Sequence, residues 1–193
     1  IKEVGRGTHS AHDLGYAQAK ELFTAILAGA VPDLELGGLL LAYRIKGESA
    51  EELRAFADAL QAYLPCWQSP SQKYRPVILP CYNGTRKMAN LLPVVAHHLA
   101  QLGVPVLLHG YAESAAGRHT AAPILQAMGY ALPDTLDVAY QQLVTQNLTF
   151  IPIDILSPEL AALLALRERL GVRHSGHTLA KCIDPFMLNG GGV

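Results

Sequence analysis

A chain of 193 residues that is 50% hydrophobic and 16% charged has the apolar content of one or two compact domains, which excludes an intrinsically disordered protein. No apolar run reaches the roughly 18–20 residues of a membrane-spanning helix, and the opening residues IKEVGRG lack the apolar core of a secretory signal. The formal net charge of −1 gives no whole-chain reason to expect a polyanionic partner, and Cys66, Cys81 and Cys182, which share no paired spacing, read as reduced thiols of a cytoplasmic protein, each filling a buried position.

The first third of the chain reads as helical. LGYAQAKELFTAILAG places Leu14, Ala17, Leu22, Ala25 and Ile26 near helical spacing, with Gly29 at the exit. DLELGGLLLAYRIKG follows Pro32; Asp33 is expected to cap this helix and Gly47 to end it. Ser49-Ala-Glu-Glu52 has the pattern of a capping box ahead of LRAFADALQAY. The three helices are short and closely spaced, so a small bundle over 1–65 is expected.

Residues 66–76 are rich in Pro, Ser and Gln, lack periodicity, and read as a linker. Strand–helix alternation then sets in. A short strand VIL follows Pro76, and a helix runs from Ala89 to Leu102 with Gly103 after it. A second strand is expected over 104–110, helices over TAAPILQAMG and TLDVAYQQLVTQ, and a third strand over 148–153. Ser157-Pro-Glu-Leu opens a helix that runs to Leu170 before Gly171, and GHTLAK forms a short helix beyond it. This order predicts an α/β domain over 77–154 built on a parallel sheet. Ligands in such sheets bind beyond the carboxyl ends of the strands, here the loops 81–90 and 108–119. Three strands make a thin sheet, to be completed by sequence beyond this chain or by another subunit.

The charges are unevenly spread. Residues 66–112 carry Lys73, Arg75, Arg86 and Lys87 and no acid, whereas residues 113–166 carry one basic side chain against five acidic ones. Residues 167–193 carry Arg167, Arg169, Arg173 and Lys181 against two acids. Should these two basic blocks meet, they would form a positive face on a neutral protein. The ordinary alternative for Arg86 and Lys87 is ion pairing; for Arg167 and Arg169 it is complementing the dipole at a helix C-terminus.

At this point specific motifs become legible. VPDLELGGLLLAYRIKGESAEEL resembles the N-terminal helical domain of the anthranilate phosphoribosyltransferase family, and YNGTRKMANLLP, VPVLLHG and LRERLGVRHSGHTLAKCIDPF follow that family's block order. IKEVGRG, PDLELGG, RIKGE, YNG-x-RK-x-AN, GVR and HTLAK are similar to the YbiB-type branch of that glycosyltransferase family 3 superfamily. The resemblance implies a small helical domain, rejoined by residues 155–190, plus an α/β domain. It also implies a homodimer through the helical domain and a full-length protein that continues past this chain.

The resemblance also says what the chemistry would need. The catalytic family holds the diphosphate of phosphoribosyl pyrophosphate on the amides of a glycine-rich GTGGD loop. Here the matching stretch is CYNGTRKMAN, in which one glycine, Gly84, remains. Asn90 matches the asparagine of the family's Asn-Ile-Ser-Thr element, whose hydroxyl residues are replaced by Leu91 or Leu92 and by Pro93. Lys-His-Gly-Asn of the family reads Leu108-His109-Gly110-Tyr111. The family's aromatic-acid-binding arginine falls on Arg167, and its Gly-Pro pair on Ala180-Lys181. The acidic pair that carries Mg2+ would lie beyond residue 193. Loss of a single donor to a developing anion costs about 3–4 kcal/mol of barrier.

Two functions follow. The first is a nucleic-acid-binding protein, sequence-tolerant toward DNA or RNA, with Arg86, Lys87, Arg167, Arg169, Arg173 and Lys181 as phosphate contacts. In that reading Tyr82, Asn83, Gly84, Asn90, His109 and Gly110 form a vestigial substrate site with no catalytic residue. No cofactor is implied. Tyr74, Tyr82, Tyr111 and Trp67 are available for base stacking, against the alternative that they pack in the core or at its rim. The second is a phosphoribosyl- or glycosyltransferase that uses Mg2+ and phosphoribosyl pyrophosphate on an unidentified acceptor, with His109 as a base. His174 and His177 stand three apart with Cys182 and Asp184 beyond, a metal-ligand spacing that no second cluster supports.

Overall fold

The computed structural model describes residues 2–7, 10–113 and 117–186. In chain order the elements are α1 (Tyr16–Leu27), α2 (Asp33–Lys46), α3 (Ala50–Gln61), β1 (Val77–Cys81), α4 (Leu92–Gln101) and β2 (Val106–Gly110). They continue with α5 (Ala121–Ala127), α6 (Leu136–Gln146), β3 (Leu148–Pro152), α7 (Ile153–Leu156), α8 (Pro158–Leu170) and α9 (Ser175–Leu179). The chain divides into two compact units. Among the described residues, one holds those up to Leu64 with Ser157–Ile183; the other holds those of Pro65–Leu156 with Asp184–Phe186.

The helical unit is built around aromatic contacts. Phe23 of α1 stacks on Phe56 of α3 with ring centroids 4.7 Å apart, and Tyr43 of α2 meets Phe56 edge-on at 5.4 Å. Ala19, Leu40, Ala55, Ala59, Leu160 and Leu164 of the same unit are also buried.

The predicted capping box forms, and it does more than cap. Ser49 Oγ accepts from the Glu52 N–H (3.2 Å), while Glu52 Oε2 accepts from the Ser49 N–H (2.8 Å). Glu52 is fully buried. Its carboxylate also accepts from the Leu14 N–H (2.9 Å), the Tyr43 hydroxyl (3.1 Å) and Lys46 Nζ (2.8 Å), and Lys46 pairs in addition with Asp13. Burial by itself raises the pKa of such a group. The donors from Leu14, Lys46 and Ser49 outweigh burial here and hold Glu52 below the usual carboxylate range. Burial acts to lower Lys46, but Asp13 and Glu52 together raise it above its ordinary value.

Asp33 does not cap α2. Pro32 occupies the N-cap without a side-chain bond and Asp33 begins the helix, where its charge complements the dipole. The strand and helix ends also move inward from the sequence expectation. The helix expected from Ala89 starts at Leu92, because the Asn90 side chain takes the Leu92 N–H (3.3 Å) and Pro93 sits in the first turn. The second strand begins at Val106 rather than at 104, because the Val104 N–H is taken by Leu99 O (3.1 Å) in the turn that ends α4. The third strand ends at Pro152, and Ile153 enters a one-turn helix.

The described strands form a parallel sheet in the order β1-β2-β3. The register pairs Cys81 with Gly110 and Gly110 with Pro152, so the three carboxyl ends finish level. β2 and β3 are buried throughout, while β1 exposes Pro80, which fits its edge position. Cys81 is the one buried cysteine; burial pushes its thiol up to about 12. Cys66 and Cys182 are exposed, which corrects the expectation of three buried thiols. Cys66 lies in the extended segment before β1 and Cys182 just beyond α9, both away from a core face.

Candidate functional site

The level strand ends place two loops side by side. Gly110 closes β2 against the Cys81 carbonyl; a Cβ there would lie 2.6 Å from Cys81 O. That close approach brings Tyr82 to His109. The Tyr82 hydroxyl and His109 Nδ1 are 2.9 Å apart, and the Tyr82 ring meets Tyr111 edge-on at 5.5 Å. His109 is fully buried, and its Nε2 has no hydrogen-bond partner among the described residues. Burial holds the His109 imidazole down to about 4, so it is neutral at pH 7. Burial also raises the Tyr82 phenol. The pair is therefore an uncharged hydrogen-bonded unit beneath the loops.

Above it the two loops are fastened together. The Thr85 N–H donates to His119 O (3.1 Å) and the His119 N–H donates to Thr85 O (2.8 Å). Asn90 Nδ2 donates to the same His119 carbonyl (3.1 Å), and Arg118 Nη1 donates to Gly84 O (3.3 Å). Gly84 is buried, and a Cβ added there would lie 2.8 Å from both Arg118 Cβ and His119 O. The remaining glycine of the loop is thus used to seat the neighbouring loop, and the Thr85 amide is spent on that loop's backbone. The buried hydroxyls of Thr85 and Thr120 have no partner among the described residues.

Arg86 and Lys87 stand exposed on this loop, and among the described residues neither has an ion pair. Asn83 is exposed beside them. The other two cations of the acid-free block are engaged: Arg75 pairs with Asp184 at 2.6 Å, and Lys73 lies over the Tyr74 ring at 4.8 Å. Trp67 packs on Tyr140 and Phe186, so it serves the apolar interior of its unit rather than an open face.

The four cations assigned from residues 167–181 all fall in the helical unit. Arg167 and Arg169 lie in the last turn of α8, and Arg169 reaches Asp33 at 3.3 Å across an exposed pair. Arg173 and Lys181 line a cavity of about 270 Å3 together with Arg44, Glu48, His174 and His177. Burial, His174, Arg167 and Arg173 together lower the His177 imidazole to about 4. Burial lowers that of His174 also. Among the described residues no group of three metal-ligating side chains could hold a metal ion, and His174, His177, Cys182 and Asp184 form no such site.

Two contributors escape the sequence reading. Arg118 is the one base in an acid-rich block, which gives no reason to single it out, yet the fold puts it on Gly84. Arg44 lies far from residues 173–181 in sequence, and only the packing of α2 beside α9 brings it to their cavity.

Residues 1–63 match the helical bundle domain of the glycosyl transferase family. The chain is 42% identical over 186 residues to the uncharacterized protein YbiB of Escherichia coli (strain K12), covering 96% of this chain and 58% of that protein. It is 32% identical over 179 residues to the anthranilate phosphoribosyltransferase of Synechococcus elongatus, covering 92% of this chain and 51% of that enzyme. The crystal structure of anthranilate phosphoribosyltransferase (TrpD) from Thermus thermophilus superposes with a TM-score of 0.78 at 24% identity, over 91% of this chain and 53% of that one. The chain fits the YbiB-type branch of the anthranilate phosphoribosyltransferase superfamily. The Saccharomyces cerevisiae enzyme in complex with PRPP and Mg shares the fold, with a TM-score of 0.68 at 14% identity over 90% of this chain and 51% of that one. The chain spans about half the length of the relatives it matches. The fastened loops lie beyond the carboxyl ends of β1 and β2. Residues 81–90 contain no carboxylate, and Glu113 is the one acid in 108–119.

Proposed function

We propose that this protein is a sequence-tolerant nucleic-acid-binding protein, cytoplasmic and homodimeric, on a phosphoribosyltransferase-like fold whose diphosphate site has been closed from within. The single observation that carries this reading is the state of loop 81–90. Its one glycine is covered by Arg118 and His119, and the Thr85 amide is bonded to the next loop. Its cations Arg86 and Lys87 stay exposed and without ion pairs among the described residues. A loop in that state keeps an attraction for phosphate and lacks the convergent amides that stabilise a departing diphosphate. Arg118 adds a third positive charge beside them, and Arg167, Arg173 and Lys181 supply cations on the helical unit.

The homodimer is supported by α2. Leu34, Leu41 and Ile45 fall on one helical face and are 84%, 40% and 64% exposed. Such a stripe is suited to burial against a second copy.

The test is a filter-binding titration with single- and double-stranded oligonucleotides of unrelated sequence at several salt concentrations. Binding that weakens as salt rises, with little preference among sequences, is the expected result. Affinity poorer than millimolar at low salt, or affinity indifferent to salt, sinks the reading. The competing reading, a phosphoribosyl- or glycosyltransferase, draws on the retained Asn90, His109 and Arg167. Calorimetry with phosphoribosyl pyrophosphate and Mg2+ separates the two: heat of binding favours the transferase, and its absence beside oligonucleotide binding removes it.

A further inference from the structure

The helical unit holds a polar cavity whose histidines neither reading uses. It opens among the end of α2, the segment 171–174 and α9, with a volume of about 270 Å3. Arg44, Arg173 and Lys181 line it, and Glu48 is the one carboxylate there. With both imidazoles neutral, the lining has three positive charges against one negative.

The histidines say what is missing. His174 is 4% exposed. His177 Nδ1 accepts the backbone N–H of His174 at 3.4 Å. A ring that accepts at Nδ1 carries its proton at Nε2 when neutral. His177 Nε2 is buried and has no partner among the described residues. The ring is thus a donor without an acceptor among the described residues, on a histidine that lines a cavity whose charges favour an anion. Burial, His174 and the nearby Arg167 and Arg173 keep His177 neutral at pH 7, so this donor does not depend on protonation.

Size and charge narrow the ligand. The volume of about 270 Å3 lies at the small end of ligand pockets, which run to roughly 300–1,000 Å3. That admits a phosphate or a small sugar phosphate and excludes a run of nucleotides. Three cations against one carboxylate in the lining favour an anion.

We propose that this cavity binds a phosphate dianion, either as the free ion or as the terminal group of a small phosphate monoester. His177 Nε2–H donates to one phosphate oxygen, and Arg44, Arg173 and Lys181 balance its charge. Glu48 opposes it and sets the upper limit on affinity.

The experiment is titration calorimetry of the 193-residue chain with inorganic phosphate and with ribose 5-phosphate, with sodium chloride at matched ionic strength as the blank. One site per chain is expected for at least one of the two probes. Ribose 5-phosphate binding identifies a monoester site, and inorganic phosphate alone identifies a site for the free ion. Arg44→Ala, outside the set assigned to nucleic acid, should weaken binding at least tenfold. His177→Phe should do the same, and His177→Gln, which restores a donor, should recover most of it. Glu48→Gln should tighten binding several-fold, a gain that a misfolded variant cannot produce. No heat from either probe overturns the proposal, as does binding that Arg44→Ala and Glu48→Gln leave unchanged. Oligonucleotide binding without phosphate binding removes this cavity alone; phosphate binding without oligonucleotide binding upholds the cavity and removes the nucleic-acid reading.

Discussion

Gly84 lies flat against His119: a single added carbon at residue 84 would come within 2.8 Å of the His119 carbonyl oxygen. That contact fastens the loop after β1 to the loop after β2, and with it the two backbone bonds between Thr85 and His119. Gly84→Ala cannot relieve the overlap by rotating a side chain, because the opposing atoms include main chain. Overpacking of this kind costs about 1–3 kcal/mol. Thermal unfolding should show a loss in Tm of about 2–4 °C for each kcal/mol in a chain of this size. An unchanged Tm would mean that the loops are not held together as described.

Arg86 and Lys87 are the exposed cations of that fastened loop. Replacing both by Ala should weaken single-stranded oligonucleotide binding irrespective of sequence. It should also lower the slope of log affinity against log salt by about 1.4, from roughly 0.7 per phosphate contact. Arg169→Ala should change the slope less, because Arg169 already pairs with Asp33. A double variant with the slope of the parent would remove this loop from the interface.

Glu52 is fully buried, and its carboxylate accepts from Leu14, Tyr43, Lys46 and Ser49. Breaking a buried charge pair from one side costs about 3–5 kcal/mol, so Glu52→Ala should unfold the helical unit at markedly lower denaturant. The sign of the pH effect follows from the lowered Glu52 pKa. Its contribution is fully present above the unfolded carboxylate value and is lost as pH falls through the lower folded one. Denaturant midpoints measured across the acidic range should show this loss in the parent and not in the variant.

His109 gives a second acid-side signal at higher pH. Its folded value of about 4 lies below the ordinary histidine value of 6.5, so the unfolded chain binds the proton first as pH falls. Stability should be independent of this group above about pH 6.5 and decline between there and about pH 4, by on the order of 3 kcal/mol in total. His109→Asn should flatten that interval. Tyr82→Phe, which removes the hydroxyl 2.9 Å from Nδ1, should cost about 1 kcal/mol at neutral pH. A parent and an Asn variant with the same pH profile would count against a neutral, buried ring.

Ile45 and Leu41 occupy the exposed apolar stripe of α2. Ile45→Asp should leave secondary structure intact and shift the sedimentation coefficient from that of a dimer to that of a monomer. A parent that already sediments as a monomer removes the α2 dimer.

Local chemistry carries much of the fold into the sequence. Ser49 and Glu52 announce their helix start through spacing alone, because a capping box is a contact between residues three apart. The sheet is readable from apolar runs separated by helical stretches, and Gly47 and Gly171 mark helix ends because both adopt positive φ. Asp33 as a cap and Ala89 as a helix start fail for a reason equally local: Pro32 already holds the cap, and the Asn90 side chain takes the first amide of α4.

By itself the sequence determined the element order, the acid-free block around Arg86 and Lys87, and the likeness of its motifs to a phosphoribosyltransferase superfamily. Each of these depends on neighbours in the chain or on residue identity. Only the tertiary structure decided that Arg118 rests on Gly84, that Thr85 and His119 exchange backbone bonds, and that Arg44 shares a cavity with Lys181. Those contacts join residues 34 apart in the loops and far more in the helical unit. They arise from the level register of parallel strands and the packing of helices, which no local spacing encodes.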